Sequence, residues 1–258
     1  MKIEWIVKII IFILLCVALA SPIIVDKSNP LNRNGKDIVL VLDASGSMNA
    51  SGFDVEDELS KGERLSRFAL TKIVASRFIL NRESDNIGIV LYGDFAFIAS
   101  PITYEKEIVV DMLSYLSEGM AGQNTAIGEG ISMGVRAFKH SKAKSKVMIL
   151  LSDGEHNSGS ISPKTALVLA KNAGVKIYTI AIGEADSALM QKIAKESGGI
   201  YYSAVNAKEL QNIYNAIDSL ESSRISSKEY KLKEYYCQTL LLLVCGFLLF
   251  LLYKEIKR

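Results

Sequence analysis

Cysteine is nearly absent from this chain. Cys16, Cys237 and Cys245 all lie in strongly apolar stretches at the two ends, so the middle has none. A disulfide framework is thereby excluded, and the central part must be held by its own core, for which roughly 190 residues suffice. An excess of either charge is also missing, since 30 Lys and Arg stand against 28 Asp and Glu. That balance argues against a nucleic-acid binder, which carries a basic excess, and against an acidic disordered chain. The chain contains no G-x-x-x-x-G-K-[ST] phosphate loop, no H-E-x-x-H and no G-x-S-x-G elbow. Internal repeats and low-complexity tracts are lacking too.

What is present in excess is apolar surface: 49% of the 258 residues are hydrophobic while 22% are charged. The excess sits at the ends. Residues 5–25 are interrupted only by Lys8, Ser21 and Pro22, and Tyr235 to Tyr253 carries no charge at all. As helices these would reach roughly 28–32 Å, the thickness of a hydrocarbon core. The second is apolar on every face, which suits lipid better than a half-buried helix, and Trp5, Tyr235, Tyr236 and Tyr253 fall where interfacial aromatics belong. Two transmembrane helices are expected. For the first, Lys2, Lys8 and Ala18-Leu19-Ala20 before Ser21 also fit a cleavable signal. The continuation through Ile23-Ile24-Val25 favours an uncleaved anchor, and Leu15 before Cys16 argues against a lipoprotein cysteine.

The two ends hold five cations against two anions, leaving one more acid than base between them. Basic residues outside both spans (Lys2; Lys254, Lys257 and Arg258) place both termini in the cytoplasm and the middle across the membrane. The expected organisation is an anchor or signal over 1–25, a polar linker over 26–36 and one domain over 37–221. A juxtamembrane segment over 222–234, a span over 235–253 and a tail over 254–258 complete it.

Within the domain, continuous apolar runs alternate with helical stripes. Strands are expected at Ile38–Leu42, Ile87–Tyr92, Val147–Leu151, Val175–Ile182 and Ile200–Ser203, with Phe95–Ala99 antiparallel to the second. Helices are expected at Glu63–Arg82, Ile108–Leu116, Thr125–Phe138, Pro163–Asn172, Ala188–Glu196 and Ala207–Leu220. Strands apolar on both faces and alternating with helices predict an α/β, doubly wound, mostly parallel sheet with helices on both faces.

Ligands bind such sheets at the carboxyl ends of the strands. Asp43-Ala44-Ser45-Gly46-Ser47 follows the first strand and Ser152-Asp153-Gly154-Glu155 follows the strand at 147–151. Gly122-Gln123-Asn124-Thr125-Ala126 opens a helix between them. All three offer oxygen and none offers thiolate or imidazole, a set that suits a hard cation, Mg²⁺ first, with Ca²⁺ or Mn²⁺ possible. Each piece alone has an ordinary reading: Asp43 as a cap, Asp153-Gly154 as a turn, Thr125 as an N-cap. Asp94, after the second strand, reads as a surface turn at the rim, and Lys139, Lys142, Lys144 and Lys146 as a solvated loop.

Jointly, Asp43-x-Ser45-x-Ser47, Thr125 and Asp153 resemble the metal-ion-dependent adhesion site (MIDAS) of von Willebrand factor type A (VWA) domains, whose fold is Rossmann-like. The resemblance covers about residues 36 to 221. Gly122–Gly128, Leu151–Asn157 and Ile161-Ser162-Pro163 further resemble the membrane-anchored Bat-type proteins (BatA/BatB-like) of bacterial aerotolerance operons, which stand beside MoxR-type AAA+ ATPases. The resemblance implies that Ser45, Ser47 and Thr125 hold the metal directly, with Asp43 and Asp153 acting directly or through water. It implies a non-enzymatic module that takes a partner's Asp or Glu on the cation, in a bacterial inner-membrane complex with other VWA or Bat-type membrane proteins and a MoxR-type ATPase. The domain would then be periplasmic and the ATPase cytoplasmic. Two other readings stand beside it. One is a metal-dependent phosphohydrolase using Asp43, although Ser45 stands where that chemistry wants a second acid. The other is a structural tether that binds no metal.

Overall fold

The computed structural model describes residues 35–51, 53, 64–82, 84–183 and 187–221, with scattered positions within 5–17 and 244–257. The chain divides into two compact units, Arg33–Ile225 and the paired ends Met1–Asn32 with Ser226–Arg258.

In the larger unit the first apolar run forms β1 (Asp37–Asp43), buried along its whole length. Helix α1 (Arg67–Leu80) follows, then β2 (Asn86–Tyr92), β3 (Ala96–Thr103) and α2 (Lys106–Tyr115). The chain continues through α3 (Ile127–Ala137), β4 (Lys146–Ser152), α4 (Pro163–Asn172), β5 (Val175–Ile182), α5 (Ser187–Ser197), β6 (Tyr201–Ala204) and α6 (Ala207–Glu221). The six strands lie in the order β3-β2-β1-β4-β5-β6. All neighbours are parallel except β2 and β3. The expected α/β sheet is thus a mixed, mostly parallel one of Rossmann type. β3 is longer than the expected strand and contains Pro101, which an edge strand tolerates because one side needs no ladder donor.

Strand alternation builds two cores. Ile38, Leu40 and Leu42 face one layer with Phe68 and Val74 of α1, Leu113 of α2 and Tyr214 of α6. Val39 and Val41 face the other with Ile127 and Ile131 of α3, Ala166 of α4 and Met190 of α5. Two apolar layers on one strand explain why β1 reads as a solid run instead of an alternating one.

Helices α2 and α5 begin two residues and one residue earlier than expected, and two other helix starts depart in ways that bear on the site. α1 begins at Arg67 because Ser66 turns out of the helix and its hydroxyl accepts from the Ala69 amide. α3 begins at Ile127, so Thr125 is not its N-cap; Ala126 occupies that position.

In the other unit, Ile11 and Val244 are buried together with Leu14 packed on them. Most of residues 5–25 and 235–253, and all of 222–234, lie outside the described residues. Among the described residues no helix is long and apolar enough to cross a membrane.

Candidate functional site

The carboxyl ends of β1 and β4 are adjacent, since the two strands pair in parallel from Asp37↔Lys146 to Leu42↔Leu151. Their following loops therefore emerge side by side. β1 ends in Asp43, whose side chain is fully buried. Its Oδ1 accepts from the Ser45 amide at 2.9 Å, and its Oδ2 accepts from Ser152 Oγ at 2.8 Å. Both donors are neutral. Burial pushes the Asp43 carboxyl up to about 6; the hydrogen bonds from Ser45 and Ser152 oppose the rise and the nearby Asp153 charge adds to it.

Beyond Asp43 the chain makes one 3-10 turn, Gly46–Asn49, which carries Ser47 back toward β4. Ser45 Oγ and Ser47 Oγ are 3.1 Å apart, and Ser47 Oγ donates to Asp153 Oδ1 at 2.5 Å. Gly46 is a position of close approach: its amide donates to the Gln123 carbonyl at 2.9 Å, and a Cβ there would lie 2.6 Å from Gln123 Oε1. The loop that holds Thr125 is thus pinned to the loop that holds the serines.

Thr125 is held from both sides. Its amide donates to Asn157 Oδ1 at 2.9 Å, while its carbonyl accepts from the Asn157 amide at 3.1 Å. A Cβ built on Gly154 would sit 3.1 Å from Thr125 Oγ1 and 3.7 Å from Ser47 Oγ, so the missing side chain leaves a space flanked by two hydroxyls. The structure thereby brings Asp43, Ser45, Ser47 and Asp153 into one hydrogen-bonded set and places Thr125 across Gly154 from Ser47. Among the described residues no three His, Cys, Asp or Glu side chains gather as a metal cluster. The gathered set is two carboxylates with hydroxyls, and its chemistry is that of hard oxygen.

Four further residues belong to this site, and of them the sequence alone marks only Asp94, as a surface turn at the rim. Arg67, the first residue of α1, places Nη1 3.0 Å from Asp153 Oδ2. Nothing in its local sequence marks it, because the pairing spans 86 positions. Ser152 and Asn157 stood in the strand-end stretch as context only. Asp94 lies at the rim as a joint: it accepts from the Gln123 amide, from Asn124 Nδ2 at 2.7 Å and from Ser158 Oγ at 3.1 Å. Those contacts, led by Asn124, hold its carboxyl below the usual range. Beside it the rim is apolar, with Phe95 and Met120 both exposed and the Phe95 amide bonded to the Ala121 carbonyl.

The sequence pattern of the von Willebrand factor type A domain matches residues 37–216. This chain belongs to that family. A UPF0353 protein of Mycolicibacterium paratuberculosis is 30% identical over 242 residues, spanning 83% of this chain and 68% of that protein. Two solved structures share the VWA fold with Bat-type character. An aerotolerance-related membrane protein from Bacteroides fragilis aligns at TM-score 0.57 and 22% identity, over 70% of this chain and 97% of that one. BatB from Bacteroides thetaiotaomicron aligns at 0.58 and 24%, over 73% and 100%. Proximal thread matrix protein 1 of mussel byssus, with zinc in its MIDAS motif, has the same fold at TM-score 0.57 and 22% identity, over 72% of this chain and 45% of that protein. VWA domains are typically non-catalytic and mediate protein–protein contacts.

Proposed function

We propose that this VWA domain is a metal-dependent protein-binding module that takes a partner's carboxylate on a divalent cation, Mg²⁺ first. Asp43, Ser45, Ser47, Thr125 and Asp153 would hold the ion. One observation carries the reading: Asp43 is a fully buried carboxylate bonded only to neutral donors, within a set of hydroxyls and a second carboxylate. A buried charge without a countercharge is costly, and a cation at this set would offset it. The ion would supply a positive centre able to accept one further oxygen ligand. With only two carboxylates, one of them already shared with Arg67, the ion would keep net positive charge and favour an acidic partner group. Zinc in the MIDAS motif of the mussel byssus protein supports the same use of this fold.

The apolar ends, the paired Ile11 and Val244, and the membrane character of the B. fragilis relative support anchoring in a bacterial inner membrane, with the domain on the extracytoplasmic side and both termini cytoplasmic. Partners in that setting would be other VWA or Bat-type membrane proteins. A cytoplasmic MoxR-type ATPase could reach only the short ends around Met1–Lys8 and Lys254–Arg258, or act through another subunit.

The test is Mg²⁺ binding by the full chain in detergent, measured by calorimetry, followed by metal-dependent pull-down. Wild type should bind the ion and Asp43→Ala should not. Partner capture that survives both excess chelator and Asp43→Ala would overturn the reading.

A further inference from the structure

The end of the sheet opposite the site is unlike the rest of the domain in charge. Across residues 37–221 acids outnumber bases, yet the eight residues Lys139–Lys146 hold four lysines, one histidine and no acid. Lys139, His140, Lys142 and Lys144 are all exposed, and no ion pair engages them among the described residues. Several other cations at this end are matched. Lys36 and Lys176 both pair with Glu221, and Arg82 pairs with Asp85 and Asp218. Lys139 and His140 close the last turn after α3, where cations complement the helix dipole. Lys142 and Lys144 lie beyond that helix and gain nothing from it.

The position of this loop gives the charge a meaning. It leads into β4 at Lys146, and the Ser145 carbonyl accepts from the Asp37 amide at 3.2 Å, so it touches the first residue of β1. Lys36 Nζ in turn donates to Glu221 Oε2 at 2.5 Å. The chain therefore enters and leaves the domain at this same end.

We infer that the exposed loop Lys139–Lys146 is a lipid-facing surface that engages anionic headgroups of the membrane in which the chain is anchored. The inference rests on the anchoring reading above, not on the metal site. Charge complementarity favours this occupant, because lysines held near an anionic leaflet are attracted within about one Debye length. The metal site stands off by the length of β1, roughly 20 Å for seven residues.

The test is lysine acetylation of the full chain in nanodiscs, read by mass spectrometry. Discs of phosphatidylcholine alone are compared with discs that also contain phosphatidylglycerol. Lys142 and Lys144 should be modified severalfold more slowly in the anionic discs at low salt and recover at high salt. Lys164, exposed at the opposite end at the start of α4, should not change. Equal rates in both compositions, or protection in phosphatidylcholine alone, would overturn the inference. A chain that stays out of the discs sinks the anchoring reading alone, and vesicles of the same two compositions then test the loop directly. Protection by anionic vesicles supports it; none refutes it.

Discussion

Ser47 Oγ donates to Asp153 Oδ1 at 2.5 Å although 106 positions separate the two residues. The contact exists because β1 and β4 are neighbours in the sheet and end together. It joins the two loops on which the proposed cation site depends, and each loop makes the other's geometry testable.

Asp43 should be a liability to the metal-free protein. Its carboxyl is raised to about 6, so the native state binds the proton more tightly than the unfolded chain. Stability without metal is then largest in acid and falls as pH rises from about 4 through 6. In excess chelator at pH 7.5, Asp43→Asn should stabilise by roughly 2 kcal/mol, an advantage that disappears near pH 4. Chemical denaturation at the two pH values measures it. With Mg²⁺ in about hundredfold excess over Kd, wild type should gain roughly 3 kcal/mol and Asp43→Asn nothing.

Gly154→Ala should separate metal affinity from folding. The added methyl would lie 3.1 Å from Thr125 Oγ1 and 3.7 Å from Ser47 Oγ, in the space the cation is proposed to share. Calorimetry should show Mg²⁺ affinity reduced at least about tenfold, while the stability of the chelated protein changes by less than roughly 1 kcal/mol.

Asp94 should act on the site at a distance. Removing its acceptors in Asp94→Ala frees the Gln123 amide, Asn124 Nδ2 and Ser158 Oγ, and so loosens the loop that positions Thr125. Hydrogen exchange of residues 122–126 should speed up, and Mg²⁺ affinity should fall without being lost. Unchanged exchange there would mean that Gly46 and Asn157 hold the loop unaided.

Glu221→Gln should destabilise the domain from the other end of the sheet. Burial pushes this carboxyl up, but hydrogen bonds from Lys176, Lys36 and Tyr178 outweigh it and hold it at about 2. The resulting stability is present above about pH 4.5 and lost as pH falls toward 2. The variant should lose roughly 3 kcal/mol at pH 7, the low end of the ~3–5 kcal/mol expected when one partner of a buried pair is removed, because Lys176 is itself partly exposed. Below about pH 2 the difference from wild type should close.

The α/β architecture was legible because burial on both faces of β1 writes a continuous apolar run, while the amphipathic helices write a periodic one. That Asp43, Ser45, Ser47 and Asp153 come together was legible because the carboxyl ends of neighbouring parallel strands lie side by side. What stayed hidden was pairing between distant positions with no local signature. Arg67 looks like any first-turn arginine until Asp153 lies against it. The lysines of 139–146 read as a solvated loop because sequence alone does not show that they share an end with Lys36 and Glu221. Thr125 reads as a helix cap because hydroxyls favour that role, whereas Asn157 holds it one residue outside the helix.

The contact between Lys36 and Glu221 also has a mechanical consequence. A pull applied between the two connecting segments loads that ion pair first and need not cross the strands. Tension between Lys36 and Glu221 opens this contact before it reaches the far end of the sheet, where the oxygen ligands gather.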